Sequence, residues 1–335
     1  MKKVIASFCL SLTLALMLGV YSQAQTQQPE SNGTNTAQEE YLLPGPDELN
    51  QTEEQDSDTA ETTAETAVQT PTVTPAESVS ATAINNGGPY ISFNGIVSNT
   101  VIPLMINDTT YVPFRAFCVT AVNGAVISWS AEKNISYCNS AGLEIDAPFD
   151  QSYIIANGRV LYRNEANISI NDTLYVPVRS LAAAIGAQVE WNEAAQCVNL
   201  TLTGTPITPA EQFYNQTDLL WLARIINAES RYEQLLGKIA VGNVIMNRVA
   251  DPDFPDTVYD VIFDCRYSVQ FYPVTSPVIY NTPSEDSIIA AKACLEGFTV
   301  SNSILYFMNP KLAVSTWISR NRSFLFAIGN HSFYA

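Results

Sequence analysis

Leu222-Ala-Arg-Ile-Ile-Asn-Ala-Glu-Ser-Arg-Tyr-Glu233 is the stretch that decides how the last third of this chain is read. Leu222, Ile225, Ile226 and Leu236 stand at helical offsets of −7, −4, −3 and +7 from Glu229. An amphipathic helix therefore carries that carboxylate on its apolar stripe. Burial disfavours the charged form of a carboxylate, and a carboxyl group that stays protonated near neutral pH is what a general acid requires. The competing reading is an ion pair with Arg224, Arg231 or Arg248 that holds the fold.

Outward from this stretch, the pattern predicts a first helix capped near Thr217 and running to about Tyr232, and a second from about Gln234 to Val249. Pro252 and Pro255 punctuate a loop, Pro283-Ser284-Glu285 starts a third helix, and Gly297 ends it. Short strands are expected over Ser303–Met308 and Phe324–Ile328. The span 216–335, mostly helical, is long enough for one core and one cleft.

Further landmarks follow in order: Asn227-Ala-Glu-Ser-Arg-Tyr-Glu233, Gly237-Lys-Ile-Ala-Val-Gly-Asn-Val-Ile-Met-Asn-Arg248, Phe254-Pro255, Gln270-Phe-Tyr-Pro273, Tyr306-Phe-Met-Asn-Pro310, Trp317 and Gly329-Asn-His331. In this order and spacing they resemble the SleB-type cell-wall hydrolases, the family of spore cortex-lytic enzymes. One departure is Tyr232, where many members have glycine. The resemblance implies a mainly helical, lysozyme-like catalytic domain over 216–335. It also implies a lytic transglycosylase that cleaves peptidoglycan between N-acetylmuramic acid and N-acetylglucosamine, with Glu229 as the catalytic acid and then base. Spore cortex is one candidate substrate and vegetative wall another.

Glu233, one helical turn on, could serve as a second carboxylate, adjust the first, or pair with Lys238 or an arginine. Gln270, Tyr306, Asn309, Asn330 and His331 are candidates for hydrogen bonds to sugar groups, and Phe271, Tyr272 and Trp317 for stacking on sugar faces, although most such aromatics fill cores. Three alternatives stay open. A lysozyme-type muramidase would need two carboxylates. A Cys nucleophile would need His331, the sole histidine, as its partner. A wall-binding envelope protein would need no chemistry at all.

Upstream, Ile106-Asn-Asp-Thr-Thr-Tyr-Val-Pro-Phe-Arg115 recurs about 64 residues later as Ile170-Asn-Asp-Thr-Leu-Tyr-Val-Pro-Val-Arg179. Each copy continues into an Ala-rich helical stretch and a Trp, Trp129 or Trp191. This is an internal repeat, about 89–140 and 141–203 within a region 85–205, whose Asn-Asp turns join alternating runs into hairpins. The repeat resembles the copper amine oxidase N-terminal domain, a small antiparallel sheet wrapped on a helix, so the chain as a whole reads as α+β. The two Trp are expected in the core, and Arg115 and Arg179 at a helix start or in a buried network. The region could bind glycan or act as a spacer. With one His and no Cys-x-x-Cys in the chain, no metal and no cofactor is expected.

Lys2, Lys3, the apolar run Val4–Val20 and Ser22-Gln-Ala24 read as a secretory signal peptide over 1–24, which leaves no membrane anchor once cleaved. Residues 25–84 hold 12 acidic residues and no Lys or Arg, the composition of a disordered tether. Most of the net charge of −17 sits there, and the remainder is too mildly acidic for a nucleic-acid binder. A secreted monomer in the cell wall or spore envelope, with glycan strands as its partner, is the expectation. Five cysteines remain after Cys9 leaves with the signal; Cys118 with Cys138 and Cys265 with Cys294 are candidate pairs, and free buried thiols are the alternative.

Overall fold

The structure, a computed structural model, describes residues 89–335, so the signal and the acidic tether lie outside the described residues. The first repeat copy runs β1 (Tyr90–Phe93), β2 (Ile96–Val97), β3 (Leu104–Ile106), β4 (Thr109–Pro113), α1 (Phe114–Ala121), β5 (Val126–Ser130) and β6 (Ile135–Ser140). After β7 (Leu143–Pro148), the second copy gives β8 (Tyr153–Ala156), β9 (Arg159–Tyr162), β10 (Ile168–Ile170), β11 (Thr173–Pro177), α2 (Val178–Ala184), β12 (Gln188–Asn192) and β13 (Cys197–Thr201). The two Asn-Asp pairs form the expected turns. Asn107, Asp108, Asn171 and Asp172 all have φ between 47° and 59°, the left-handed pair that a two-residue hairpin loop demands.

The copies interlock. β4 pairs antiparallel with β11 so that Val112 faces Val176 while Tyr111 faces Pro177 and Pro113 faces Tyr175. Equivalent residues thus meet about a local two-fold axis. Likewise the closing hairpin of each copy lies in one sheet with the opening hairpin of the other, as β12-β13-β1-β2 and as β5-β6-β7-β8-β9, with β7 inserted in the second. One core serves both copies, from Ile91, Phe114 and Phe117 to Val176, Leu181 and Leu200.

One expectation for this region is corrected, and two pairs of alternatives are decided. Trp129 and Trp191 are 47% and 43% exposed, because β5 and β12 are edge strands; Trp129 leans on Phe149, and Trp191 Nε1 donates to Glu193. Arg115 and Arg179 stand at the starts of α1 and α2, the first of their two readings, and are exposed there rather than part of a buried network. All five described cysteines are free thiols. Cys118 and Cys138 share a thiol hydrogen bond that, with burial, pushes the Cys118 thiol up. Cys294 is buried, its Sγ directed to the Ile239 carbonyl, while Cys265 is exposed.

The rest of the chain adds α3 (Ala210–Phe213), α4 (Gln216–Glu229), α5 (Leu235–Ala250), α6 (Val258–Ile262), α7 (Glu285–Leu295), β14 (Tyr306–Met308), α8 (Trp317–Asn321), β15 (Phe324–Ile328) and β16 (His331–Tyr334). Helices and a three-stranded antiparallel sheet, ordered β14-β16-β15, share this half, so its content is mixed. α5 is buried at every position from Gly237 to Ile245, which is why that stretch is apolar except for Lys238 and Asn243. α4 packs Leu222, Ile225 and Ile226 into the same core, each worth about 1.5–3 kcal/mol of burial. Its cap is Asn215, whose Oδ1 accepts from the amides of Thr217 and Asp218, two residues before the expected start.

α4 also stops at Glu229 rather than Tyr232, so Leu236 belongs to α5 and not to the same stripe. Ser230 is the last residue whose amide makes the helical bond, to the Ile226 carbonyl, and at φ −133° and ψ 31° it leaves the helix while its hydroxyl donates to the same carbonyl. α7 keeps both expected signals: Ser284 caps its start, and Gly297 at φ 87° closes its end with paired bonds from Gly297 N to Cys294 O and Phe298 N to Ala293 O.

All described residues fall in one compact unit. The β8–β9 hairpin reaches into the second core, where Val160 is fully buried and Tyr162 meets Phe298 edge-on at 4.4 Å. Its tip is fastened to α7: Lys292 Nζ donates to Gly158 O at 2.7 Å, and Arg159 forms a two-pronged pair with Glu296 at 2.8 and 2.7 Å.

Candidate active site

Glu229 is the last residue of α4, and the chain on both sides of it is held. Two residues earlier, the buried Asn227 accepts from Ser284 N at 3.0 Å and Ser287 Oγ at 3.4 Å, fixing α4 to the start of α7. Just after it, the carbonyls of Ser230, Arg231 and Glu233 converge on Lys238 Nζ at 2.8, 2.9 and 2.7 Å. Lys238 is 2% exposed; burial pulls its pKa down, against Asp286 and Glu233, which raise it.

Glu233 lies in the same loop, with a side chain 7% exposed. Its carboxylate accepts from Asn330 Nδ2 at 2.9 Å and from Asn330 N at 3.3 Å, in the turn between β15 and β16. Gly329 makes that approach possible, since a Cβ there would overlap Glu233 Oε2 and its φ is 59°. His331 Nδ1 stands 3.7 Å from Glu233 Oε1, an ion-pair separation too long for a hydrogen bond. Glu233 therefore pairs with neither Lys238 nor an arginine. Its partner is the strand turn, while Lys238 takes the backbone.

A second cluster gathers around two arginines. Arg248, on α5, donates to Leu305 O at 2.8 Å and to Gln270 Oε1 at 3.3 Å, and its guanidinium lies 4.9–5.2 Å from the rings of Phe254, Phe271 and Tyr306. Burial lowers its pKa to about 10, so it stays charged at neutral pH. Arg322 covers Tyr306 at 4.6 Å and Trp317 at 4.9 Å. Phe307 bridges the two clusters, 5.3 Å from His331 and 6.3 Å from Phe271.

Of the residues singled out by sequence, Glu233, Asn330 and His331 form one group and Gln270, Phe271, Tyr306 and Trp317 the other. Asn309 joins neither; its Oδ1 caps the turn at Lys311 N. Phe271, at 3% exposure, is a core side chain and has no open face for a sugar, whereas Tyr272 is 44% exposed. Tyr232 points outward at 92% exposure, so its side chain takes no part in the packing of the loop. Sequence reading missed Arg322 and the roles of Asn227 and Lys238. A lysine inside the all-apolar run of α5 was the available signal.

His331 supplies a pH test. Burial lowers its pKa below the ordinary histidine value of 6.5, against a smaller upward pull from Glu233. A base whose folded pKa is depressed takes up its proton more readily when unfolded, so stability is full above about pH 6.5 and falls as pH drops through that value. The melting temperature is expected to fall more between pH 7 and pH 5 in the wild type than in His331→Gln. Parallel curves would show that the imidazole is not linked to folding.

Comparison with known proteins agrees with the landmarks. Residues 232–334 match the family described as Cell Wall Hydrolase, and residues 92–200 match the Copper amine oxidase N-terminal domain. A spore cortex-lytic enzyme of Bacillus cereus is 39% identical over 120 residues, covering 36% of this chain and 45% of that protein. One of Oceanobacillus iheyensis is 36% identical over 130 residues, covering 39% and 46%. Among solved structures, the catalytic domain of the germination-specific lytic transglycosylase SleB from Bacillus anthracis is 38% identical, covering 38% of this chain and all of that one, with a TM-score of 0.34. The chain spans less than half the length of these curated relatives. It carries a cell wall hydrolase domain behind a copper amine oxidase N-terminal-like domain.

Proposed function

We propose that the protein is an exported peptidoglycan-cleaving enzyme, a lytic transglycosylase directed at spore cortex, with a lysozyme-like catalytic domain over 216–335. The observation that carries this reading is Glu229, held at the end of α4 three residues before the stretch 232–334 that matches the cell wall hydrolase family, in a chain 36–39% identical over 120–130 residues to spore cortex-lytic enzymes. No helix among the described residues is long and apolar enough to cross a membrane. A monomer in the wall or spore envelope, with glycan strands as its partner, completes the proposal.

In the proposed reaction the Glu229 carboxyl protonates the oxygen bridging N-acetylmuramic acid to N-acetylglucosamine as the C1–O bond breaks. The resulting carboxylate then takes the proton of the muramic C6 hydroxyl while O6 closes on C1, giving a 1,6-anhydro end. No water enters and one carboxyl group serves both steps. Tyr306, Trp317 and Tyr272 are the aromatics best placed to flank sugar rings, and Gln270 is a hydrogen-bonding candidate held by Arg248.

The muramidase alternative needs a second carboxylate to act as nucleophile or to activate water. Glu233 is the nearest in sequence, and its engagement with Asn330 and its burial favour the single-carboxylate reading. The product decides. Cleaved cortex is expected to carry anhydro-muramic ends that borohydride does not reduce. Mainly reducible ends, heavier by one water, would replace the transglycosylase with a hydrolase and leave the substrate class standing.

A further inference from the structure

α4 and α7 close their carbonyl ends in different ways. α7 uses Gly297 in the left-handed region, the inexpensive solution. None of residues 230–233 has a positive φ, and the carbonyls beyond α4 are instead collected by the ammonium of Lys238. Burying a charge for this purpose is costly unless its bonds are complete. Here all three donors are used, and the stem rises from the most deeply buried helix of the domain, which cannot shift without disturbing the core.

We infer that Lys238 is the positioning residue of the reaction: by tying the loop carbonyls that follow Glu229 to α5, it fixes where the Glu229 carboxyl stands against the scissile bond. The inference rests on the proposed role of Glu229. Asn227 fixes the preceding turn of α4 to α7. Lys238 fixes the following loop, so the end of the helix is held from both sides. Loss of the ammonium frees one buried and two part-buried carbonyls, and the buried Ser230 carbonyl must turn to find another partner and carry the helix end with it. Substrate binding by the aromatic cluster is expected to stay as it was, since Tyr306, Trp317 and Gln270 are held by Arg322 and Arg248 while the Lys238 ammonium is engaged with the loop carbonyls.

The test uses the full chain acting on soluble cortex glycan. Lys238→Met keeps the length and apolar bulk of the stem without a donor, and Lys238→Arg keeps the charge on a planar fork that cannot meet three converging carbonyls. Both variants are expected to fold. Lys238→Met should lose about 10²-fold in kcat, the cost of a displaced catalytic group, with KM unchanged, and Lys238→Arg should lose less. A folded Lys238→Met with wild-type kcat overturns the inference, as does a rise in KM at constant kcat. If neither variant folds, Lys238 is a support of the fold alone and the inference is also overturned. Glu229→Gln measured alongside separates the two ideas. An active Glu229→Gln removes the proposed catalytic group itself, whereas an inactive one beside an undiminished Lys238→Met removes only the positioning role.

Discussion

Glu229→Gln is expected to keep the fold and to lose glycan cleavage by about 10²–10⁴-fold, the usual contribution of a general acid–base group. The amide preserves the volume and polarity of the side chain at the end of α4, so Asn227, Ser230 and Lys238 should hold the same helix end. What it removes is a group able to give a proton and then take one. The loss should fall on kcat, because an interaction made only as the bond breaks does not contribute to ground-state binding. Release of soluble muropeptides from cortex, with circular dichroism as the check on folding, measures it. Wild-type turnover by a folded variant would sink the assignment. Glu233→Gln should behave differently: its carboxylate serves Asn330, one oxygen survives in the amide, and the expected deficit is mainly in stability.

Local chemistry was legible where the physics is local. Asn107-Asp108 and Asn171-Asp172 announce their turns because only such residues accept two consecutive left-handed conformations cheaply. Ser284 and Gly297 announce α7 because capping is settled within four residues. The interlocked copies were not legible. A 64-residue period shows that a unit is repeated, yet the pairing of Val112 with Val176 depends on a symmetry between distant segments that no local pattern encodes. β16 went unseen for a similar reason: His331-Ser-Phe-Tyr334 is a strand only because it lies between β14 and β15.

The site shows the same division. That Glu229 shares a helix with the buried Leu222, Ile225 and Ile226 could be read from that stretch alone. The burial of Phe271 and His331 follows from how the three-stranded sheet seats against α5, with Phe307 and Phe333 between, and a sequence holds no measure of that. Lys238 stands out in the apolar run of α5, but the three loop carbonyls it collects could not be read from it. Polar residues in apolar runs were the readable part, and the identity of their partners was not.

The second large effect concerns the joint between the two halves. Glu296→Ala is expected to lower the stability of the whole chain by about 3 kcal/mol, the low end of what breaking a buried ion pair costs. Glu296 accepts from Arg159 Nε and Nη2 and from the Tyr214 hydroxyl at 2.5 Å, and the Arg159 and Glu296 side chains are only 12% and 9% exposed. Truncation strands a guanidinium and a phenol together. The low end applies because Arg159 stacks on Phe213, which is 44% exposed, leaving the pair at the edge of the solvent. Urea unfolding measures the loss, and Arg159→Met with Glu296→Met should recover most of it by exchanging the pair for apolar contact. The pair sits beyond the C-terminal end of α7, and Ser284, which holds Asn227, caps the other. Turnover well below the melting temperature should therefore be unchanged. A Glu296→Ala chain as stable as the wild type would mean that the β8–β9 hairpin only rests on α7. A cooperative loss instead makes the hairpin, through Val160, part of the second core, and a fragment beginning at Gln216 would then expose the surface that Val160 covers.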